Sequence, residues 1–166
     1  MSQKKIYISY KDIVEDTKLL AKNILNSSIR YDAIIAISGG GLIPARILRN
    51  FINLPIYCIN IKTYDENNQQ NNDVKVVQWL GKNEISQLSR KNILFIDDID
   101  DTRNTLHWIV NLINDENEGL NCNKIGFGLL YNKMKEKSYQ IPDEFQYYTA
   151  KDIEDEWVVF PWEIYN

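Results

Sequence analysis

The residues best equipped for chemistry sit in one short run. Asp97, Asp98, Asp100 and Asp101 follow directly on the apolar Ile93-Leu94-Phe95-Ile96, and Thr102, Asn104 and Thr105 come straight after. Carboxylates in such a place can hold Mg²⁺, grip sugar hydroxyls or carry a proton in transit. The hydroxyl and amide side chains lead into Leu106, Trp108, Ile109, Leu112 and Ile113, an apolar spacing of helical period, and so mark a helix N-terminus. There the unpaired N–H groups of the first turn and the helix dipole favour an anion such as phosphate. The plain alternative is a solvated acidic loop at a strand end.

The elements that must hold these residues can be read around them. Ile93 to Ile96 reads as a strand buried on both faces, so core ends where the site begins. Ala33 to Ile37 is a second buried strand, stopped by Ser38-Gly39-Gly40-Gly41. Three glycines between a strand and a helix let a backbone approach a ligand closely, although a flexible connection would look the same. Pro44 suits the first turn of the helix that follows, Leu42 to Phe51. Near the start, Ser9 caps a helix whose Ile13, Thr17, Leu20, Ala21, Ile24 and Leu25 share one face, with Asp12 in its first turn. Pro55 announces a strand over Ile56 to Ile61, and Lys62 stands at its end. Glu66 to Asp73 is all Asn, Gln and acid, which reads as a loop, and Val74, Val76 and Val77 form a returning strand ahead of a polar stretch up to Arg90. Ile125 to Tyr131 is a further buried strand, with Lys133 just beyond it. Strands alternating with helices imply right-handed crossovers and a mainly parallel sheet, which gathers ligands at the carboxyl ends of its strands. Ser38, Lys62, Asp97 and Lys133 all fall at such ends, so one cleft is expected.

Composition narrows the class. A chain of 166 residues, 44% hydrophobic and 25% charged, fits one α/β domain over residues 1–166. The net charge of -4 argues against general nucleic-acid binding, which needs clustered Lys and Arg. Cys58 and Cys122 are too few for a metal cluster or a disulfide framework, and Cys58, in an apolar run, reads as core. No apolar run approaches a membrane span and no signal-peptide core follows Met1, so the cytoplasm is the plain inference.

The stretch from Ile93 to Leu106, ILFIDDIDDTRNTL, resembles the phosphoribosyl-diphosphate (PRPP) signature of type I phosphoribosyltransferases: apolar residues, two acids, a spacer pair, then Asp-Thr-Gly-x-Thr. Ala36 to Arg46 is similar to the diphosphate loop and following helix of the xanthine-guanine and hypoxanthine branch, and Glu156 to Glu163 to its C-terminal base-binding tail. The resemblance spans roughly residues 36 to 163, in the family's order. It implies a mainly parallel sheet flanked by helices, a flexible lid over Glu66 to Asp73 and a small C-terminal hood over the base. It also implies an Mg²⁺-dependent transfer of phosphoribosyl from PRPP to a 6-oxopurine, releasing diphosphate and a nucleoside 5′-monophosphate, by a homodimer or homotetramer.

Residue by residue, the resemblance gives Ser38, Gly39 and Gly40 to the diphosphate, and Asp97 and Asp98 to the ribose hydroxyls and Mg²⁺. Asp101 becomes the catalytic carboxylate facing N7 of the base, while Thr102, Arg103, Asn104 and Thr105 cradle the 5′-phosphate. Lys133 donates to the 6-oxo group, Trp157 stacks on the base and the main chain of Val158 meets its 2-position edge. Asp100 falls at a variable spacer and reads as a solvated charge, and Trp162 reads as structure. Two positions depart from the branch. Gly39 stands where Arg is usual, removing a cation from the leaving group, and Arg103 stands where Gly is usual, adding a cation beside the phosphate and placing a side chain where glycine suits the backbone. Val159 stands where an acid can recognise the 2-substituent, which favours hypoxanthine over guanine. Two other readings compete: a non-catalytic sensor of PRPP or a nucleotide on the same fold, and a flavodoxin-like or receiver-like domain, which explains Asp97 and Asp98 but not Asp101-Thr102 with Thr105.

Overall fold

Six strands form the central sheet of the computed structural model, which describes residues 4–63, 74–115 and 119–163. In chain order they are β2 (Ala33–Ser38), β3 (Ile56–Thr63), β4 (Val74–Gln78), β5 (Asn92–Asp100), β6 (Lys124–Lys133) and β7 (Gln146–Ile153). Across the sheet the order is β4-β3-β2-β5-β6-β7, parallel throughout except for the edge pair β3–β4. Two short strands, β1 (Lys5–Tyr7) and β8 (Trp157–Val159), pair in parallel as a separate ribbon.

Period-two alternation sends each central strand into two cores. Ile35, Ile37, Ile93 and Phe95 face one layer with Leu106, Ile109 and Ile113 of α4 (Asn104–Ile113). Ile34, Ala36, Leu94 and Ile96 face the other, under α1 (Tyr10–Leu25) and α2 (Leu42–Leu48). Covering both faces is what makes β2 and β5 continuous apolar runs. Ser9 caps α1 as expected: its hydroxyl accepts from the Asp12 N–H, while the Asp12 carboxylate accepts from the Ser9 N–H at 2.9 Å.

Several expectations need correction. The helix after the glycine run stops at Leu48 rather than Phe51. The polar stretch before Arg90 contains a helix, α3 (Lys82–Leu88), which buries only Leu88 and so shows little periodicity. Cys58 is exposed, because Ile59 and Ile61 take the covered face of β3 and Cys58 falls on the other. The lid expected over Glu66 to Asp73 lies outside the described residues. No helix among the described residues is long and apolar enough to cross a membrane.

Candidate active site

Sheet register brings the sequence-predicted residues together. β5 lies between β2 and β6, with Ala36 opposite Ile96 on one side and Asp100 opposite Asn132 on the other. Ser38 and the glycine turn therefore emerge on one flank of the acids, and Lys133 on the other. At this end of β5 is a cavity of about 310 Å³ lined by Asp97 and the residues that follow it through Leu106.

The glycine turn packs against the end of β5. A Cβ added at Gly40 would lie 1.8 Å from the Asp98 carboxylate, so only glycine lets the turn sit against that acid. A Cβ at Gly41 would meet the carbonyls of Ile96 and Ile37 at 2.3 and 2.5 Å. Gly39 is different: nothing lies within 4 Å of its Cβ position, so its lack of a side chain leaves open space there.

Asp97 and Asp98 have no Lys or Arg within ion-pair distance among the described residues. Burial, with Asp98 alongside, pushes the Asp97 carboxyl well above its usual range. Burial likewise pushes Asp98 up to about 6, aided by the charge of Glu163 and opposed by hydrogen bonds, the one to Asp97 foremost. Two enclosed acids without a counter-cation are a natural seat for a hard divalent cation. No group of three or more His, Cys, Asp or Glu side chains among the described residues could hold a metal by itself, so a metal here would draw its other ligands from substrate and water.

The second acid pair is electrostatically opposite. Asp101 meets Lys133 Nζ at 3.0 Å and Lys135 Nζ at 2.7 Å, and both lysines also reach Asp155, at 3.6 and 3.2 Å. Burial raises the Asp101 carboxyl, but the bonds to Lys135 and Lys133 outweigh it and hold the group below its usual value. Lys133 is 5% exposed, far too buried for an ordinary surface lysine. Asp100 overturns its expectation as a solvated charge. It is 2% exposed and binds Arg103 Nη2 at 2.9 Å and the Tyr147 hydroxyl at 2.6 Å, because β5 continues one pleat further than the apolar run and turns this residue inward.

The phosphate cradle is open. No acceptor among the described residues binds the N–H groups of Thr102, Arg103, Asn104 or Thr105. The cap of α4 differs from the expected one, since Arg103 is the N-cap residue, left-handed at φ 73°, with no side-chain cap bond. That is the backbone a glycine would adopt freely. Trp157 is 53% exposed, so it is not core; among the described residues β8 has a strand neighbour on one side only, and the Val158 side chain is buried, which leaves its main chain for any ligand. The hood is tethered to the site by Asp155, two residues before Trp157. Trp162 stacks on Phe160, 4.7 Å between centroids, as a structural role requires.

Sequence reasoning noted Lys135 and Lys137 only as neighbours of Lys133 and gave no role to them, nor to Tyr147, Asp155 or Glu163. The alternation Lys133-x-Lys135-x-Lys137 beyond a buried strand was the available signal for the first two. The other three reach the site through strand pairing and the tail, which no local pattern displays.

A parallel sheet carrying an open amide cradle beside paired carboxylates defines a domain built to handle a sugar phosphate. The phosphoribosyl transferase domain matches residues 7–165, and the chain belongs to that family. It is 36% identical to the hypoxanthine-guanine phosphoribosyltransferase of Schizosaccharomyces pombe, covering 98% of this chain and 91% of that protein. It is 34% identical to xanthine phosphoribosyltransferase 1 of Saccharomyces cerevisiae, covering 96% and 90%. Among solved structures, a hypothetical protein from Neisseria gonorrhoeae with bound ppGpp superposes with a TM-score of 0.87 at 36% identity, covering all of this chain and 93% of that one.

Proposed function

We propose that residues 1–166 act as one purine phosphoribosyltransferase domain that transfers the 5-phosphoribosyl group of PRPP to a 6-oxopurine. A purine nitrogen forms a bond to C1 of the ribose as the C1–O bond to diphosphate breaks, giving a nucleoside 5′-monophosphate and diphosphate. The reading is carried by one observation: the acids and the open amides of residues 97–106 line a single cavity, with the glycine turn against Asp98 and a lysine paired to Asp101. The relatives named for xanthine, hypoxanthine and guanine support it.

Each group then has a task. The N–H groups of Thr102 to Thr105 and the hydroxyls of Thr102 and Thr105 hold the 5′-phosphate. Asp97 and Asp98 hold the ribose hydroxyls, and their lack of a Lys or Arg partner among the described residues fits Mg²⁺, which would neutralise the departing diphosphate. Ser38, Gly39 and Gly40 present main chain to that diphosphate. N7 and O6 of a purine are neighbouring acceptors. Lys133 donates to O6, while Asp101, 3.0 Å from it, faces N7 and takes or returns the proton there. Adenine brings a donor to the ammonium of Lys133 and is disfavoured, whereas Trp157 offers its open ring for stacking and Val158 its main chain. Val159 supplies no acid for a 2-substituent, so hypoxanthine is the favoured base. A dimer or tetramer in the cytoplasm belongs to this reading.

The ppGpp-bound neighbour favours a second reading, in which the same pocket senses a guanine nucleotide without turnover. Incubation with PRPP, Mg²⁺ and each of hypoxanthine, guanine, xanthine and adenine separates the two. Monophosphate from a 6-oxopurine is expected; ppGpp binding with no product from any base would establish the sensor instead.

A further inference from the structure

Within this reading of the phosphate cradle, one question is how the cradle keeps its shape with an arginine at its bend. Arg103 holds φ 73° and ψ 7°, a conformation side chains rarely adopt. Its guanidinium is bound twice by one oxygen of Asp100, from Nε at 3.0 Å and Nη2 at 2.9 Å, and lies over the Tyr147 ring, 5.1 Å from the centroid. The Asp100 side chain is fully enclosed, and the same oxygen accepts the Tyr147 hydroxyl at 2.6 Å with Lys137 Nζ 3.6 Å away. The arginine is thus fastened to the interior rather than left free beside the phosphate.

The neighbouring main chain is fastened as well. Lys137 Nζ donates to the carbonyls of Asp100 and Asp101 at 2.7 and 2.9 Å, and the Ser138 N–H donates to the carbonyl of Thr102 at 3.1 Å. Three consecutive carbonyls are held toward the segment after β6. In a planar trans peptide the N–H points opposite to its C=O, so the N–H groups of Asp101, Thr102 and Arg103 are turned away from that segment. Were those carbonyls released to rotate, they would present oxygen to an incoming phosphate.

We propose that Asp100 is a positioning residue: by gripping Arg103 it holds the phosphate cradle in the left-handed bend that glycine would adopt unaided, and Lys137 completes the brace. The Asp100 side chain, fully enclosed, is not presented to the cavity's contents. Its effect passes through Arg103, and that dependence is the property to test.

The experiment is a double-mutant cycle of Asp100→Asn and Arg103→Gly, read by PRPP calorimetry and by the separate kcat and KM for PRPP with hypoxanthine. Asp100→Asn is expected to raise KM for PRPP about tenfold with kcat changed less than twofold, and to raise it less than twofold when Arg103→Gly is already present. An equal rise in both backgrounds, or none in the parent, overturns the proposal. Tyr147→Phe removes one hydroxyl from the same carboxylate and serves should Asp100→Asn fail to fold; it should raise KM about threefold, again only while Arg103 is present. Unaltered PRPP affinity in Tyr147→Phe also overturns the proposal. If the parent itself binds no PRPP, the functional reading falls first and takes this proposal with it; loss of coupling in a parent that binds PRPP removes this proposal alone.

Discussion

Two acid pairs separated by one isoleucine behave in opposite ways. Asp97 and Asp98 have no Lys or Arg partner among the described residues and are pushed toward the neutral form, whereas Asp100 and Asp101 are surrounded by Arg103, Lys133, Lys135 and Lys137. A strand that continues straight places all four at one end, and the difference comes from what the neighbouring strands bring. β2 brings glycines, and β6 brings lysines. The lesson is that the first pair lacks a counter-cation among the described residues and the second has one, and the proposed function builds on this by giving metal and ribose to the first pair and the base to the second.

The largest expected effect lies in the second pair. Asp101→Asn keeps the shape of the side chain but removes the charge proposed to face N7, and turnover of hypoxanthine should fall about 10²-fold or more. Steady-state assay at saturating PRPP checks this, and unchanged turnover would end the division of roles.

The next effect concerns stability and has a counter-intuitive sign. Burial pushes the Asp98 carboxyl up to about 6 in the folded protein, above the usual range of an aspartate. A raised carboxyl means that the folded state holds the proton more tightly. Stability is therefore fully present below pH about 4 and is lost as pH rises through about 6. Asp98→Asn should then stabilise the ligand-free protein at pH 7 by about 2 kcal/mol, allowing for partial solvent contact, or roughly 5 °C in Tm. Asp101 has the lowered carboxyl, so its contribution is present above the usual carboxyl value and lost as pH falls through the folded one. Asp101→Asn should lower Tm at pH 7. Melts of both variants shifting in the same direction would break the comparison.

A smaller effect sharpens the boundary between the glycine turn and the first pair. Gly40→Ala pushes a methyl onto Asp98 and should raise KM for PRPP about tenfold, an effect of about 1.4 kcal/mol. Gly39→Ala enters open space and should raise it less. Equal effects would show that the turn does not lean on the acid as described.

Much of this was legible beforehand because the local signals agreed. The run from Ile93 into Asp97, the glycines after Ile37 and the capping pair Ser9 and Asp12 each state their structure within a few residues. Asp100 was not legible, since its burial depends on Tyr147 of β7 and Lys137 of the preceding connection, both distant in sequence. β7 itself escaped notice because Gln146–Ile153 is half-buried along most of its length, so no clean alternation marks it. Helix α3 failed for a similar reason, with too few apolar positions to set a period. Arg103 was recognised as a departure, but what makes it tolerable is a tertiary contact.

The division of roles is tested most directly by thermal melts with MgCl₂, PRPP, or both, on the parent and on Asp98→Asn. PRPP with Mg²⁺ at about a hundred times the dissociation constant should raise the parent Tm by roughly 5 °C or more, well beyond either alone, and the joint effect should vanish in Asp98→Asn. An undiminished joint rise in Asp98→Asn would contradict the assignment of the metal and ribose to the unpaired acids.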